Sequence, residues 1–223
     1  MTASNPGRAP ADRHLQVRQL ACSRGDRQLF SGVDFELQPG EALWVTGPNG
    51  SGKTSLLRLL CGLSLPESGA VHWDGQDIFK VRDDFHRELC HVGHASAVKD
   101  DLTAWENVAV STRLAGRACS QDDALQALDQ VGLLAAARLP ARALSQGQRK
   151  RVALARLCVR PAPTLSILDE PFNALDQAAI TQVCGTLNQH LADGGIVVYT
   201  THQPQALQAR RTHHLDLNQA RPC

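Results

Sequence analysis

The stretch from Gly47 to Thr54 restricts the possible folds of this chain more than any other feature. It matches the pattern G-x-x-x-x-G-K-[ST], and it lies between a short apolar segment predicted to be a buried strand (Ala42 to Thr46) and leucines at helical spacing (Lys53 to Cys61). In this arrangement the glycines let the backbone wrap around a phosphate chain, and the helix N-terminus adds positive potential. The sequence therefore predicts a phosphate-binding loop, or P-loop.

The P-loop pattern gives each polar position a role. Lys53 is expected to reach the β- and γ-phosphates of a nucleotide, and Thr54 is expected to coordinate Mg²⁺. The residues predicted to contact the nucleotide here are Gly47, Pro48, Asn49, Gly50, Ser51, Gly52, Lys53, Thr54 and Ser55. A glycine-rich turn that matches the pattern by chance is the alternative, and the flanking strand and helix argue against it.

Two adjacent carboxylates follow a second apolar segment, Thr164 to Leu168. Asp169 is placed to hold Mg²⁺ through water, and Glu170 is placed to act as general base for an attacking water. Alone, such a pair is more often a solvated acidic turn. Together with a P-loop it indicates nucleotide hydrolysis.

Strand and helix patterns alternate along the chain, which predicts an α/β core with a parallel sheet. A region from Thr103 to Leu139 is helical in pattern and is a candidate helical lobe. The other predicted strands are Leu15 to Leu20, Leu29 to Leu37, Val71 to Trp73, Glu88 to Val92 and Ile196 to Thr200, and the other predicted helices run from Ser145 to about Val159 and from Gln177 to Leu191.

Composition excludes several classes of protein. The formal net charge is +1, which gives no reason to expect nucleic acid as a partner. The seven cysteines contain no C-x-x-C pair, which argues against a disulfide framework and a zinc site and fits a reducing compartment. No apolar run approaches the ~20 residues that span a bilayer, so association with a membrane requires another chain.

His86, Cys90, His91 and His94 cluster in sequence and invite interpretation as a metal site. Cys90 and His91 are adjacent in a predicted strand, so their side chains point to opposite faces. This argues against a shared metal.

A third motif identifies the family. Leu144-Ser145-Gln146-Gly147-Gln148 resembles L-S-G-G-Q, the signature of ATP-binding cassette (ABC) ATPases. Ser145 and Gln148 also form a capping-box pattern that would simply start a helix, and both interpretations can hold together. Asn173 to Asp176 resembles the D-loop of the same family, and Thr200-Thr201-His202 resembles its switch-histidine motif.

The resemblance covers Leu15 to Leu217 and implies a P-loop NTPase fold of the ABC type. That fold has a RecA-like parallel-sheet core, an antiparallel β subdomain and a helical subdomain, the last expected at about residues 95–160 within an ABC ATPase domain at 14–217. Residues 1–13 and 218–223 are expected to be tails. The resemblance further implies ATP and Mg²⁺ as cofactors and a head-to-tail homodimer.

In such a dimer Ser145, Gly147, Gln148 and Asp176 serve the nucleotide at the interface with the partner subunit. His202 would contact the γ-phosphate and help to position water beside Glu170.

Two positions depart from the family pattern. His94 occupies the Q-loop position, where a glutamine amide is usual, so it is a candidate Mg²⁺ ligand that acts through water or serves coupling instead. Arg24 falls where an aromatic residue usually stacks on adenine, and it either stacks through its guanidinium plane or remains solvated.

Within the family, Gly93-His94, Val98 to Asn107, Leu144 to Arg156 and Ile167 to Phe172 look like the haem-export ATPases of cytochrome c maturation. This implies a peripheral subunit on the cytoplasmic face of a bacterial inner membrane, bound to integral membrane subunits. An ATPase for an ion, peptide or lipid transporter is the alternative. A P-loop kinase would lack the motifs at Ser145 and His202, and DNA-repair or translation ABC proteins usually carry two cassettes.

Overall fold

A computed structural model describes residues 13–202 and 205–219 of the chain. Most of the two predicted tails, residues 1–12 and 220–223, therefore lies outside the described residues. Arg13, assigned to the first tail, forms an ion pair with Glu88. The domain boundaries remain a prediction.

Two sheets form the core of the structure. The five-stranded sheet is parallel, in the order β6-β7-β8-β3-β9, and the four-stranded sheet is antiparallel, in the order β2-β1-β4-β5. The strands are β1 (Leu15–Arg24), β2 (Arg27–Leu37), β3 (Glu41–Thr46), β4 (Ser68–Trp73), β5 (Gln76–Asp77), β6 (Leu89–Val92), β7 (Leu165–Leu168), β8 (Ile196–Thr200) and β9 (Arg211–Asp216). This arrangement confirms the predicted fold class.

Six α-helices accompany the sheets in the described part of the chain. They are α1 (Lys53–Leu60), α2 (Arg82–Glu88), α3 (Ala104–Leu114), α4 (Gln121–Gln130), α5 (Gln146–Ala155) and α6 (Gln177–Ala192). Side-chain caps define several starts: Thr103, Ser120 and Ser145 each form a capping box, and Asp176 accepts a hydrogen bond from the N–H of Ala179. The predicted capping role of Ser145 is thus confirmed.

The helical lobe has a hydrophobic core of its own. Ala104, Val108, Leu128 and Val152 are buried in it, and its members extend along the chain as far as Val159. Helices α3, α4 and α5 pack against one another there. Because Ala153 and Leu154 of α5 are buried in a second cluster that includes Leu168 of β7, this helix connects the lobe to the parallel sheet.

Some boundaries and elements differ from those predicted. Helix α5 ends at Ala155, four residues before the predicted end, and β6 begins at Leu89 because Glu88 closes α2. The sequence patterns do not predict α2, β5 or β9. β9 pairs with β3 at the edge of the parallel sheet, and half of its residues are exposed, so it lacks the apolar run that marks an inner strand.

In the described residues, no helix is long and apolar enough to cross a bilayer. The same residues contain no group of three or more histidine, cysteine or acidic side chains placed to hold a metal ion. His86, Cys90, His91 and His94 are therefore not brought together in a group of this kind.

Candidate nucleotide-binding site

Four parallel strands deliver the predicted chemical groups to one edge of the sheet. The P-loop follows β3, Gly93 and His94 follow β6, Asp169 and Glu170 follow β7, and His202 follows β8. The carboxyl ends of parallel strands are where open α/β sheets bind ligands. The cavity there has a volume of about 440 Å³ and is lined by Arg24, Leu29, Asn49, Gly50, Gly52, Lys53, Thr54, Ser55, His94, Asp169, Glu170, Asn173 and His202.

The P-loop backbone requires glycine. Gly50 and Gly52 have φ angles of +76° and +103°, and a Cβ atom at Gly52 would lie 3.1 Å from the Phe30 ring. Lys53 Nζ donates to the carbonyl oxygens of Gly47 (2.7 Å) and Pro48 (3.2 Å). The lysine thus already lies over the loop that would hold phosphates.

Asp169 is fixed by hydroxyl groups on both sides. Thr54 Oγ1 donates to one carboxylate oxygen and Thr200 Oγ1 to the other, each at 2.8 Å, and Asp169 is 4% exposed. Hydroxyl and carboxylate oxygens are the ligands that Mg²⁺ prefers. The glycine cradle and this oxygen donor set fit a nucleotide phosphate with Mg²⁺.

Glu170 is buried with unused hydrogen-bonding capacity. Its Oε1 atom has no hydrogen-bond partner in the described structure and lies 3.4 Å from His202 Nε2. Its backbone adopts φ +49°, which is uncommon for a residue with a side chain. A carboxylate beside an imidazole can accept a proton from a water that both groups contact.

Arg24 and His94 both line the cavity, as their predicted roles require. Neither role is tested by their position alone. Asn173 also lines the cavity, although its sequence pattern predicts no role beyond the D-loop motif.

The signature residues stand apart from this cavity. Ser145, Gly147, Gln148 and Asp176 do not line it. Gly147 instead approaches the D-loop so closely that a Cβ atom there would lie 2.4 Å from the carbonyl oxygen of Ala174. One chain therefore does not bring its own signature residues to its own P-loop.

Two buried residues without a predicted individual role donate hydrogen bonds to residues of the site. Lys150 in α5 is 5% exposed, and its Nζ donates to the backbone oxygens of Gly93 (3.2 Å) and Asp169 (3.0 Å). Burial lowers the pKa of Lys150, and the carboxylates of Asp169 and Glu170 offset part of that effect. Thr200 is fully buried and donates to Asp169. In the sequence, these two residues stand out only as polar residues, one at the end of a predicted strand and one within a predicted helix.

Comparison with known proteins places this site in a class. A family model described as ABC transporter matches residues 30–173. A solved dimeric ATP-binding cassette in a post-hydrolysis state, bound to ADP and Pi, superposes with a TM-score of 0.75 at 25% identity, covering 85% of this chain and 88% of that one. The chain belongs to the ABC transporter family and is one of its ATP-hydrolysing subunits.

The most similar relatives share one name within this family. The cytochrome c biogenesis ATP-binding export protein CcmA of Nitrosomonas europaea is 52% identical over 204 residues, which cover 92% of this chain and 95% of that protein. The protein of the same name from Escherichia coli (strain K12) is 45% identical over 207 residues, covering 93% and 98%.

Proposed function

We propose that this chain is the ATPase subunit of the haem exporter of cytochrome c biogenesis. In this role it works as a homodimer on integral membrane subunits, at the cytoplasmic face of a bacterial inner membrane, and its turnover drives haem handling and release of the haem-loaded periplasmic chaperone. Similarity to the CcmA proteins along nearly the whole chain supports the proposal. The cavity at the strand ends, lined by the P-loop, Asp169, Glu170 and His202, with Glu170 Oε1 lying 3.4 Å from His202 Nε2, is the observation that carries the hydrolytic part.

The described side chains divide the work of hydrolysis. The P-loop amides and Lys53 bind the phosphate chain, and Glu170 accepts the proton of the attacking water, which His202 orients. Thr54 and Asp169 would hold Mg²⁺, which neutralises charge on the phosphates when bound. His94 acts on this site through water or in coupling. Arg24, which lines the cavity, either stacks on the base through its guanidinium plane or remains solvated.

The second half of each site comes from the partner subunit. Ser145, Gly147 and Gln148 lie at the start of α5, where the helix dipole and the Gln146 and Gly147 N–H groups, which the capping box does not use, favour a γ-phosphate. Since these residues do not reach the cavity of their own chain, we assign them to the nucleotide of the partner. Asp176 belongs to the same interface.

The hydrolytic role is tested by Glu170→Gln in the full-length chain. Removal of a general base typically costs about 10²–10⁴-fold in rate, while ATP affinity should persist because the P-loop is intact. Lys53→Ala should instead weaken ATP binding itself. Steady-state hydrolysis and equilibrium ATP binding measure the two effects, and a Glu170→Gln variant that turns over at the wild-type rate would exclude Glu170 as the base.

The export role is tested in a bacterium that lacks its own CcmA gene. Expression of this chain should restore covalently haem-loaded c-type cytochromes, measured by haem staining, and Glu170→Gln should not. An active ATPase that co-purifies with membrane subunits but leaves cytochrome c maturation unrestored would favour the alternative, a transporter for an ion, a peptide or a lipid.

A further inference from the structure

The peptide group between Asp169 and Glu170 is held at both ends by buried side chains. Its carbonyl oxygen, which belongs to Asp169, accepts a hydrogen bond from Lys150 Nζ at 3.0 Å. Its N–H group, which belongs to Glu170, donates to Thr200 Oγ1 at 2.9 Å. The two side chains approach from opposite directions, since the C=O and N–H of a trans peptide point in opposite directions.

The polarity of the Thr200 contact is fixed by its second partner. A hydroxyl group has one hydrogen, and Thr200 Oγ1 directs it to the carboxylate of Asp169 at 2.8 Å. Its lone pairs are therefore free to accept the Glu170 N–H. One buried hydroxyl thus sets both the Asp169 side chain and the Glu170 backbone.

Lys150 reaches this peptide from the helical lobe. It lies in α5, the helix that Ser145 caps, and the same ammonium group also binds the carbonyl oxygen of Gly93 directly before His94. The ends of β6 and β7 are therefore tied to each other and to the helix that carries the signature residues. A shift of α5 must move or release these two carbonyl groups.

The backbone of Glu170 explains why such a restraint is needed. Its φ of +49° lies in the left-handed region, which a residue with a Cβ atom occupies only when its surroundings over-determine it. Rotation of the Asp169–Glu170 peptide plane changes this φ directly and swings the Glu170 carboxylate. Loss of either contact would let the peptide relax.

We propose that Lys150 and Thr200 clamp the Asp169–Glu170 peptide and so act as positioning residues for hydrolysis, with Lys150 coupling the signature helix to the catalytic carboxylate. The proposal rests on the proposed function, because it takes Glu170 as the base. It assigns Lys150 and Thr200 no contact with the nucleotide.

The test uses paired substitutions in the full-length chain with Mg-ATP as substrate. Thr200→Val keeps the shape without the hydroxyl, and Thr200→Ser keeps the hydroxyl; Lys150→Met keeps the stem without the donors, and Lys150→Arg keeps donors and charge. Thr200→Val and Lys150→Met should lower kcat by about 10- to 100-fold with KM within about threefold, because a misplaced catalytic group costs rate more than binding. Thr200→Ser and Lys150→Arg should recover most of the lost kcat.

A neighbouring cation provides the matched control. Arg151, also in α5, donates to the carbonyl oxygens of Val131 and Gly132 inside the helical lobe, at 3.3 Å each. Arg151→Met should leave kcat within about twofold of wild type, since these contacts do not touch the clamped peptide. The double variant Thr200→Val/Lys150→Met should lose less than the product of the single losses, because both act on one peptide.

The outcomes separate this inference from the proposed function. If Glu170→Gln abolishes hydrolysis while Thr200→Val and Lys150→Met keep the wild-type kcat, the clamp is wrong and the base assignment stands. If Glu170→Gln itself retains activity, the proposed function fails first. If the conservative variants do not recover kcat, the two residues serve packing alone and the clamp is again overturned. Should Lys150→Met not fold, the Thr200 pair decides the question.

Discussion

Gly147 has no room for a side chain. A Cβ atom at this position would lie 2.4 Å from the Ala174 carbonyl oxygen, and Ala174 itself has a φ of +64°. Gly147→Ala must therefore displace the start of α5 or the D-loop, and we expect hydrolysis to fall by about tenfold or more, since both segments belong to the proposed dimer interface. ATP binding to a single subunit should change by less than about threefold, because the P-loop is not touched.

Gly185 in α6 is the matched control for this prediction. A Cβ atom there meets no atom within 4 Å, so Gly185→Ala should keep full activity and raise stability by about 0.5–1 kcal/mol, the usual gain for alanine over glycine in a helix. Steady-state hydrolysis and thermal unfolding of both variants provide the measurement. Equal rates for the two variants would show that the close approach at Gly147 has no consequence for turnover.

At the same scale, the sequence predicts some site residues and misses others for a physical reason. The P-loop and the Asp169-Glu170 pair are local patterns, in which neighbouring residues predict both the secondary structure and the chemical role. Lys150 and Thr200 act on a backbone group that lies 19 and 30 positions away, respectively. The spacing of neighbouring residues in the sequence does not predict such contacts, because only the folded chain brings the two partners together.

Among the elements, β9 shows where local patterns fail. The segment Arg211–Asp216 contains two histidines, an arginine and an aspartate, yet it forms the edge strand beside β3. Part of its attachment is polar: His213 Nε2 lies 2.9 Å from Glu41 Oε2, and Glu41 is 8% exposed. This segment is a strand because it pairs with β3, which is distant in the sequence, and not because of an apolar periodicity of its own.

The attachment of β9 predicts a pH dependence of stability. Burial raises the pKa of Glu41, but the Gln38 N–H, the His213 ring and the charge of Arg211 outweigh burial, and the net pKa is lowered. A carboxyl group with a lowered folded-state pKa stabilises the fold fully above its unfolded value of about 4.5, and this contribution is lost as the pH falls through the folded value.

We therefore expect the melting temperature of the wild-type chain to fall more between about pH 6 and pH 3 than that of Glu41→Gln. Near pH 3 the two melting temperatures should converge, because protonation removes the same charge. Asp26→Asn, at an exposed carboxylate in the β1–β2 turn, is the control and should parallel the wild type. Parallel curves for wild type and Glu41→Gln would rule out this contribution.

For the whole molecule, the separation of the signature residues from the cavity of the same chain has a direct consequence. A subunit alone holds the P-loop, Asp169 and Glu170 in one cavity, while Ser145 caps α5 outside it. Under the proposed function, hydrolysis then requires two chains, each completing the other's site. The sequence predicts this arrangement only through family resemblance, because no local pattern indicates whether a residue contacts the nucleotide of its own chain or that of a partner.

The dimer prediction follows from this separation. Glu170→Gln with ATP and Mg²⁺ should accumulate as a closed homodimer, because nucleotide is bound but not turned over, and sedimentation with and without ATP would measure it. Adding Ser145→Arg should prevent closure, since a bulky charged side chain at the helix start occupies the place of a partner's γ-phosphate and removes the cap, while ATP binding to each subunit persists. Ser120→Arg, which removes the corresponding cap of α4, is the control for loss of a helix cap and should leave ATP-dependent dimers intact. A Ser145→Arg chain that still dimerises with ATP, and still hydrolyses it when Glu170 is present, would contradict a composite site.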